Sequence, residues 1–339
     1  AYNEVVKESL PTFLYMKRLS ILIPVYNVER YLGRCLDSVY RQLPADYEVV
    51  LVDDGSTDGS GAICDEYEAK FASCTKVLHK TNGGVASARN TLLDSAQGRY
   101  VWFVDSDDFI ENGSVEKILS ALAAFDEPDV LSFAYRNCDD TSFSEWQNAY
   151  ELKSAINGAE YLNTYRMNPY LWSNVYRREC INQEGLRFDE RLCIGEDSLF
   201  NIKVYASCKT IALTDIHAYN YYTNPDSTLH RPTIEAKRRN AKSTVIGIGE
   251  FSRFMQSKRD FEAYEALRNW QNYGVAGFLH AQVVDHLPIS EIRGFIKELE
   301  RIGVYPIAAT GNKKADLFRL LANCKPMFLL ACRVHSWIY

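Results

Sequence analysis

From Leu19 the chain alternates short apolar runs with segments whose apolar residues recur at helical spacing. Leu19 to Val25 is an apolar run closing near Pro24. Glu29 to Gln42 then repeats apolar residues at Tyr31, Leu32, Cys35, Leu36 and Val39, one face of a helix. The same unit recurs three times: Glu48 to Val52 with Gly59 to Phe71, Lys76 to Leu78 with Val85 to Ala96, and Tyr100 to Val104 with Ser114 to Phe125. Continuous apolar strands between amphipathic helices predict a parallel sheet covered on both faces. In such a sheet, ligands bind beyond the carboxyl ends of the strands. Each predicted strand ends in a polar tip there: Tyr26-Asn27, Asp53-Asp54-Gly55-Ser56, Asn82-Gly83-Gly84 and Asp105-Ser106-Asp107-Asp108.

Beyond Pro128 the alternation loosens. The pattern predicts a strand at Val130 to Tyr135, a helix at Ala159 to Tyr165, an aromatic segment at Tyr170 to Tyr176, a helix at Glu196 to Ala206, and strands at Thr210 to Leu213 and Ala218 to Tyr222. Residues 224–232 read as a linker, and from 233 to the end the pattern is helical, with breaks near Pro288, Pro306 and Pro326. The predicted organisation is an extension over 1–18, an α/β domain over 19–223 with a regular part at 19–110 and a looser part at 128–223, and a helical C-terminal region over 233–339. Met16-Lys17-Arg18 would make a natural start, leaving 1–15 as an extension.

Composition changes this picture little: 47% hydrophobic and 24% charged residues are ordinary for a globular protein. Net charge −6 argues against a nucleic-acid partner. The charge is unevenly spread, however. Residues 1–231 hold 22 Lys and Arg against 34 Asp and Glu, and residues 232–339 hold 16 against 10. Nine scattered cysteines with no C-x-x-C spacing indicate neither zinc nor a disulfide framework, and favour a reducing cytoplasm. No apolar run of ~20 residues predicts a membrane span, and the Asn112-Gly113-Ser114 acceptor pattern is read as a chance match.

Four clusters can carry chemistry, and each has a plainer reading. Asp105 and Asp107, spaced i, i+2 at a strand tip, can present hard oxygens to Mg²⁺ or Mn²⁺, or form an acidic turn before the next helix. Asp54 can accept the imide N–H of a uracil ring, or belong to an ordinary turn. Gly83-Gly84 leading into a helix with Arg89 suits an anion, or is simple capping with a surface arginine. Glu196-Asp197 at a helix start can supply a general base, or first-turn charges that favour the dipole. His217 and His230 are lone histidines with ordinary roles. Trp172, beside Tyr170 and Tyr176, stacks on a sugar or packs in the core.

The ordered set V-Y-N (Val25 to Asn27), V-D-D-G-S-T-D (Val52 to Asp58), N-G-G-V-A-S-A-R-N (Asn82 to Asn90), F-V-D-S-D-D (Phe103 to Asp108) and G-E-D (Gly195 to Asp197) resembles glycosyltransferase family 2 over residues 19–223. The resemblance implies a GT-A fold, Rossmann-like with a mostly parallel sheet flanked by helices and here a C-terminal helical extension. It also implies a catalytic domain over 19–223, with its donor side at 19–110 and its acceptor side at 128–223, and an inverting transfer of a hexose or N-acetylhexosamine from a UDP-sugar. On that resemblance Pro24, Val25, Tyr26 and Asp54 look like the base-binding set, and Arg89, Asp105 and Ser106 like the remaining donor contacts. Asp107 looks like the direct metal ligand with Asp105 beside it, Asp108 or His230 completing the shell, and Asp197 like the base, supported by Glu196. The implied acceptor is a glycan or lipid-linked oligosaccharide of capsule or O-antigen type. A non-catalytic nucleotide-sugar binding module and a nucleotidyltransferase are the competing classes. The first is disfavoured by the joint presence of D-S-D and G-E-D. The second is disfavoured by Pro24-Val25-Tyr26-Asn27 where a Gly- and Lys-rich signature belongs.

Residues 313–339 mix basic with apolar and aromatic residues, the composition of an interfacial helix. Two expectations follow: contact with the inner face of the cell membrane, or packing against the catalytic domain or a second subunit in a homodimer.

Overall fold

The computed structural model describes residues 17–42, 47–150, 152–224 and 233–338. The extension over 1–16, most of the linker and His230 lie outside them. Eight strands form one mixed sheet in the order β3-β2-β1-β4-β7-β6-β8-β5. β1 (Leu19–Val25) pairs in parallel with β2 (Tyr47–Asp53) and β4 (Tyr100–Phe103), and β2 with β3 (Thr75–His79). β6 (Val130–Cys138) and β8 (Ile211–Tyr222) are parallel to each other, while β7 (Asn174–Arg177) runs antiparallel between β4 and β6. β5 (Phe109–Ile110) closes the far edge antiparallel to β8.

Each central strand is apolar throughout because both its faces are covered. Ile21, Ile23, Val49 and Leu51 join one core with Leu32 and Leu36 of α1 (Glu29–Tyr40), Cys64 of α2 (Ser60–Lys70) and Ile118 of α4 (Ser114–Ala124). Leu22, Val50 and Val52 point the other way. They meet Ala88 and Leu92 of α3 (Val85–Ser95), Tyr161 of α5 (Gly158–Thr164), Ile181 of α6 (Arg178–Gln183) and Leu199 and Ile202 of α7 (Glu196–Tyr205). This two-sided alternation is the period-2 geometry of a strand.

The aromatic segment near Tyr170 becomes one turn of 3₁₀ helix, Leu171–Ser173, followed by β7, so the chain reverses where apolar content alone indicated no direction. The two strands expected at Thr210 to Leu213 and Ala218 to Tyr222 are one strand, β8. It keeps pairing with β6 by absorbing register shifts between Ser132 and Tyr135. Trp172 is buried, stacked on Tyr219 at 4.5 Å, and belongs to the core.

The C-terminal helices are α8 (Ile234–Ser257), α9 (Tyr264–Val284), α10 (Ile289–Ile302), α11 (Lys313–Ala322) and α12 (Lys325–Ile338). Phe251 and Met255 of α8 and Leu267 of α9 enter the core that carries α7, whereas Leu279, Ile292, Leu299 and Phe328 form a separate core among the helices themselves. The break expected near Pro326 falls at Asn323 and Cys324, between α11 and α12, and Pro326 then stands in the first turn of α12, where its missing N–H costs nothing.

Phe200 of α7 stacks on Phe188 at 4.2 Å and meets Phe103 and Tyr176 edge-on. Phe200→Ala should lower the unfolding free energy in urea by about 3–5 kcal/mol through the cavity it leaves. Leu320→Ala, on the exposed side of α11, should change it by less than about 0.5 kcal/mol.

Candidate functional site

The polar tips of β1, β2 and β4 and the start of α3 surround one cleft of about 350 Å³. Pro24, Val25, Tyr26, Asp54, Arg89, Asp105, Ser106 and Asp107 all line it. Glu196 and Asp197 open α7 beyond its rim, and Arg89 joins the two places.

Arg89 lies on the buried face of α3. One terminal nitrogen donates to Asp105 Oδ1 at 3.0 Å and the other to Glu196 Oε1 at 2.7 Å. Its Nε is also buried and meets no acceptor among the described residues. The surface-arginine reading of this position is therefore wrong: a guanidinium removed from water here is compensated by two carboxylates from opposite sides of the cleft.

The glycine turn ahead of α3 is shaped by Asp54. Its carboxylate accepts the N–H groups of Gly83 (3.0 Å) and Gly84 (2.8 Å) and the Lys80 ammonium (2.6 Å). Gly84 sits at φ 86°, ψ 165°, a region only glycine enters readily.

The acidic tip divides its labour. Asp108 is fully buried and accepts from the Tyr219 hydroxyl at 2.7 Å and the Tyr222 N–H at 2.7 Å. The Tyr219 oxygen also accepts the Asp105 N–H at 3.0 Å, so one hydroxyl of β8 pins both ends of the D-S-D-D turn. Burial, then Asp107 and Asp105, raise the Asp108 carboxyl well above its ordinary pKa. With its oxygens engaged by β8, Asp108 is a poor candidate to complete a metal shell.

Asp107 faces the cleft. Its Oδ2 accepts from Asn224 Nδ2 at 3.1 Å, and its carbonyl from Arg34 at 2.9 Å. Burial first and Asp105 second raise its pKa, against the opposing pull of Asn224 and Arg34. Paired hard oxygens in that state fit a small divalent ion. Among the described residues no group of three His, Cys, Asp or Glu is arranged to hold one, so the protein would supply only part of the shell.

At the other end of the Arg89 bridge, Gly195 adopts φ 78° to turn the chain into α7. Asp197 is partly buried, and desolvation, then Glu196, raise its pKa to about 6, with Arg89 pulling the other way. The Ser198 N–H donates to its Oδ1 at 2.6 Å. From α8, Ser243 Oγ accepts the N–H of Cys193 (3.0 Å) and donates to the Ile194 carbonyl (3.2 Å), so a C-terminal helix holds the loop that leads into Glu196.

Ser243, Arg34, Tyr219 and Asn224 escaped the sequence reading. Asn224 was assigned to the linker. The near-alternating tyrosines of β8 were the one available signal, and they gave no partner. His217 is exposed and stacks on Trp146 at 4.2 Å, a surface contact. All nine cysteines are unpaired thiols.

A mixed α/β sheet with a cleft at its parallel strand tips, an acidic turn on its floor and a buried carboxylate across an arginine bridge is the layout of a ligand-binding α/β scaffold. Residues 20–188 match the model of glycosyl transferase family 2, and the chain belongs to that family. It is 33% identical over 220 residues to the uncharacterized glycosyltransferase EpsJ of Bacillus subtilis, covering 63% of each chain. It is 32% identical over 215 residues to the poly(ribitol-phosphate) beta-N-acetylglucosaminyltransferase TarS of Staphylococcus aureus, covering 61% of this chain and 36% of TarS. The chain therefore spans less than two thirds of these relatives. In fold it is similar to residues 1–349 of S. aureus TarS in complex with UDP-GlcNAc, with TM-score 0.69 and 23% identity over 95% of this chain and 91% of that one. A mannosyltransferase from Pyrobaculum calidifontis in complex with GDP-Man and Mn²⁺ aligns at TM-score 0.51 and 18% identity over 97% and 90%.

Replacing Arg89 by Met should leave Glu196 and Asp105 without their shared cation and cost about 3 kcal/mol of stability in chemical unfolding. The same change should raise the Asp197 pKa further, since Arg89 lowers it. Carboxyl chemical shifts followed against pH would read that second effect directly.

Proposed function

We propose that this protein is an inverting glycosyltransferase that moves a hexose or N-acetylhexosamine from a UDP-sugar to a hydroxyl of a cell-surface glycan or its lipid-linked precursor. The observation that carries the proposal is the Asp105–Arg89–Glu196 bridge, which ties the donor cleft to the helix start bearing Asp197. The family match, and TarS as a relative that acts on a poly(ribitol-phosphate), support the cell-surface reading.

In this reading Pro24, Val25, Tyr26 and Asp54 receive the uracil, with Asp54 already fixed by the glycine turn. Arg89, Asp105 and Ser106 line the diphosphate path. Asp107, with Asp105, would hold Mn²⁺ or Mg²⁺, which when bound would neutralise the charge growing on the departing diphosphate. The remaining ligands would come from donor phosphate and water. Asp197 takes the proton of the acceptor hydroxyl as that oxygen attacks the anomeric carbon from the face opposite the diphosphate, and one base so placed gives inversion. Glu196, neutralised by Arg89, orients that base. Among the described residues no helix is long and apolar enough to cross a membrane.

Calorimetry with UDP tests the donor site. Binding to the parent should strengthen with Mn²⁺, and Asp107→Ala should lose that metal dependence; a parent that binds no UDP with or without Mn²⁺ would refute the donor assignment. Because Asp197 acts as its carboxylate, kcat/KM should climb as pH rises through about 6 and level off above it. Asp197→Asn should lower kcat by about 10²- to 10⁴-fold while UDP binding persists.

A further inference from the structure

The last two helices carry an apolar face that the fold does not cover. α12 has two apolar stripes. Phe328 and Cys332 are buried against the helical core, while Met327, Leu330 and Val334, spaced i, i+3, i+7, are 57%, 60% and 43% exposed. On α11, Leu317 and Leu320 are 72% and 64% exposed. Five large apolar side chains thus stand open on two helices that follow one another in the chain, where a surface apolar residue ordinarily stands singly.

Charge points to what meets this face. From 313 to 335 the sequence has Lys313, Lys314, Arg319, Lys325 and Arg333 against Asp316 as its single acid, in a chain whose net charge is −6. Arg319 is paired with Asp316, and Lys325 with Glu300. Lys313 and Lys314 stand exposed in the first turn of α11, where the helix dipole disfavours cations. A second copy docked symmetrically here would set like charge against like.

The exposed side of α11 also borders a row of neighbouring grooves that approach the candidate site. A groove of about 680 Å³ between α9 and α11, lined by Lys314, Leu317 and Tyr273, meets a second of about 600 Å³ at Tyr273 and Asn312. That one shares Ser198, Trp270 and Gly274 with an apolar cavity of about 150 Å³ under Ile194 and Gly195, the residues leading into Glu196 and Asp197.

We propose that the α11–α12 face docks on an anionic lipid bilayer, and that the grooves running from it to Gly195 bring an amphiphilic, membrane-borne acceptor to Asp197. The route to Asp197 rests on the glycosyltransferase reading above; the docking does not.

Sedimentation of the full chain with vesicles of phosphatidylcholine, with and without phosphatidylglycerol, tests it. The parent should pellet with the anionic vesicles and be released by high salt. Leu320→Glu/Leu330→Glu and, separately, Lys313→Glu/Lys314→Glu should each partition at least about tenfold more weakly, with UDP binding and melting temperature kept. Equal pelleting of parent and both variants, or none by the parent, overturns the docking. So does a parent that is dimeric by light scattering, ignores vesicles and becomes monomeric in Leu320→Glu/Leu330→Glu, because the face is then a subunit interface. Pelleting does not involve UDP, so a parent that docks but binds no UDP overturns only the donor assignment, and one that binds UDP but never docks overturns only the membrane surface.

Discussion

A buried guanidinium organises this molecule. Arg89 bridges the acidic tip of β4 and the carboxylates opening α7, and those elements are separated by about a hundred residues of sequence. Without it, three carboxylates would converge on a space poor in water, where like charges repel strongly. The cores on either side of the sheet bring the two halves close, but apolar packing has no sense of direction at this scale. The fork of Arg89, with two fixed donor directions, sets how the cleft and the carboxylate of Asp197 face one another.

A second constraint comes from outside the α/β unit. Ser243 fastens the Cys193–Ile194 backbone from α8, and Phe251, Met255 and Leu267 extend the core beneath α7. The C-terminal helices thus buttress the helix that carries Asp197, so that element is gripped by Arg89 at its start and by α8 along its approach. The tip of β4 has a matching support in Tyr219, whose single hydroxyl serves Asp105 and Asp108 together.

What could be read from the chain was what depends on local periodicity. The two-sided strands β1, β2 and β4 and the amphipathic α1 announce themselves because burial demands apolar residues at spacings of two and 3.6. The residues around the cleft were legible because strand tips in a parallel sheet share an edge. Contacts that tertiary structure alone creates were not legible. Nothing near Arg89 marks it as buried, Ser243 looks like any helical serine, and Asn224 follows a strand in a polar stretch. β7 is not legible as an antiparallel strand because four residues, only Val175 and Tyr176 of them apolar, carry no information about direction. β8 was split at Asp215 because its exposed middle breaks the apolar run while its backbone keeps pairing.

Asp54 carries a consequence for descent. The carboxylate proposed to meet the nucleotide base is also the acceptor that folds the Gly83–Gly84 turn, so a lineage cannot change one role without damaging the other. No such double duty is apparent for Tyr26 at the open mouth of the cleft. Variation at this mouth can therefore fall on Tyr26 far more readily than on Asp54, whose replacement would unmake the turn itself.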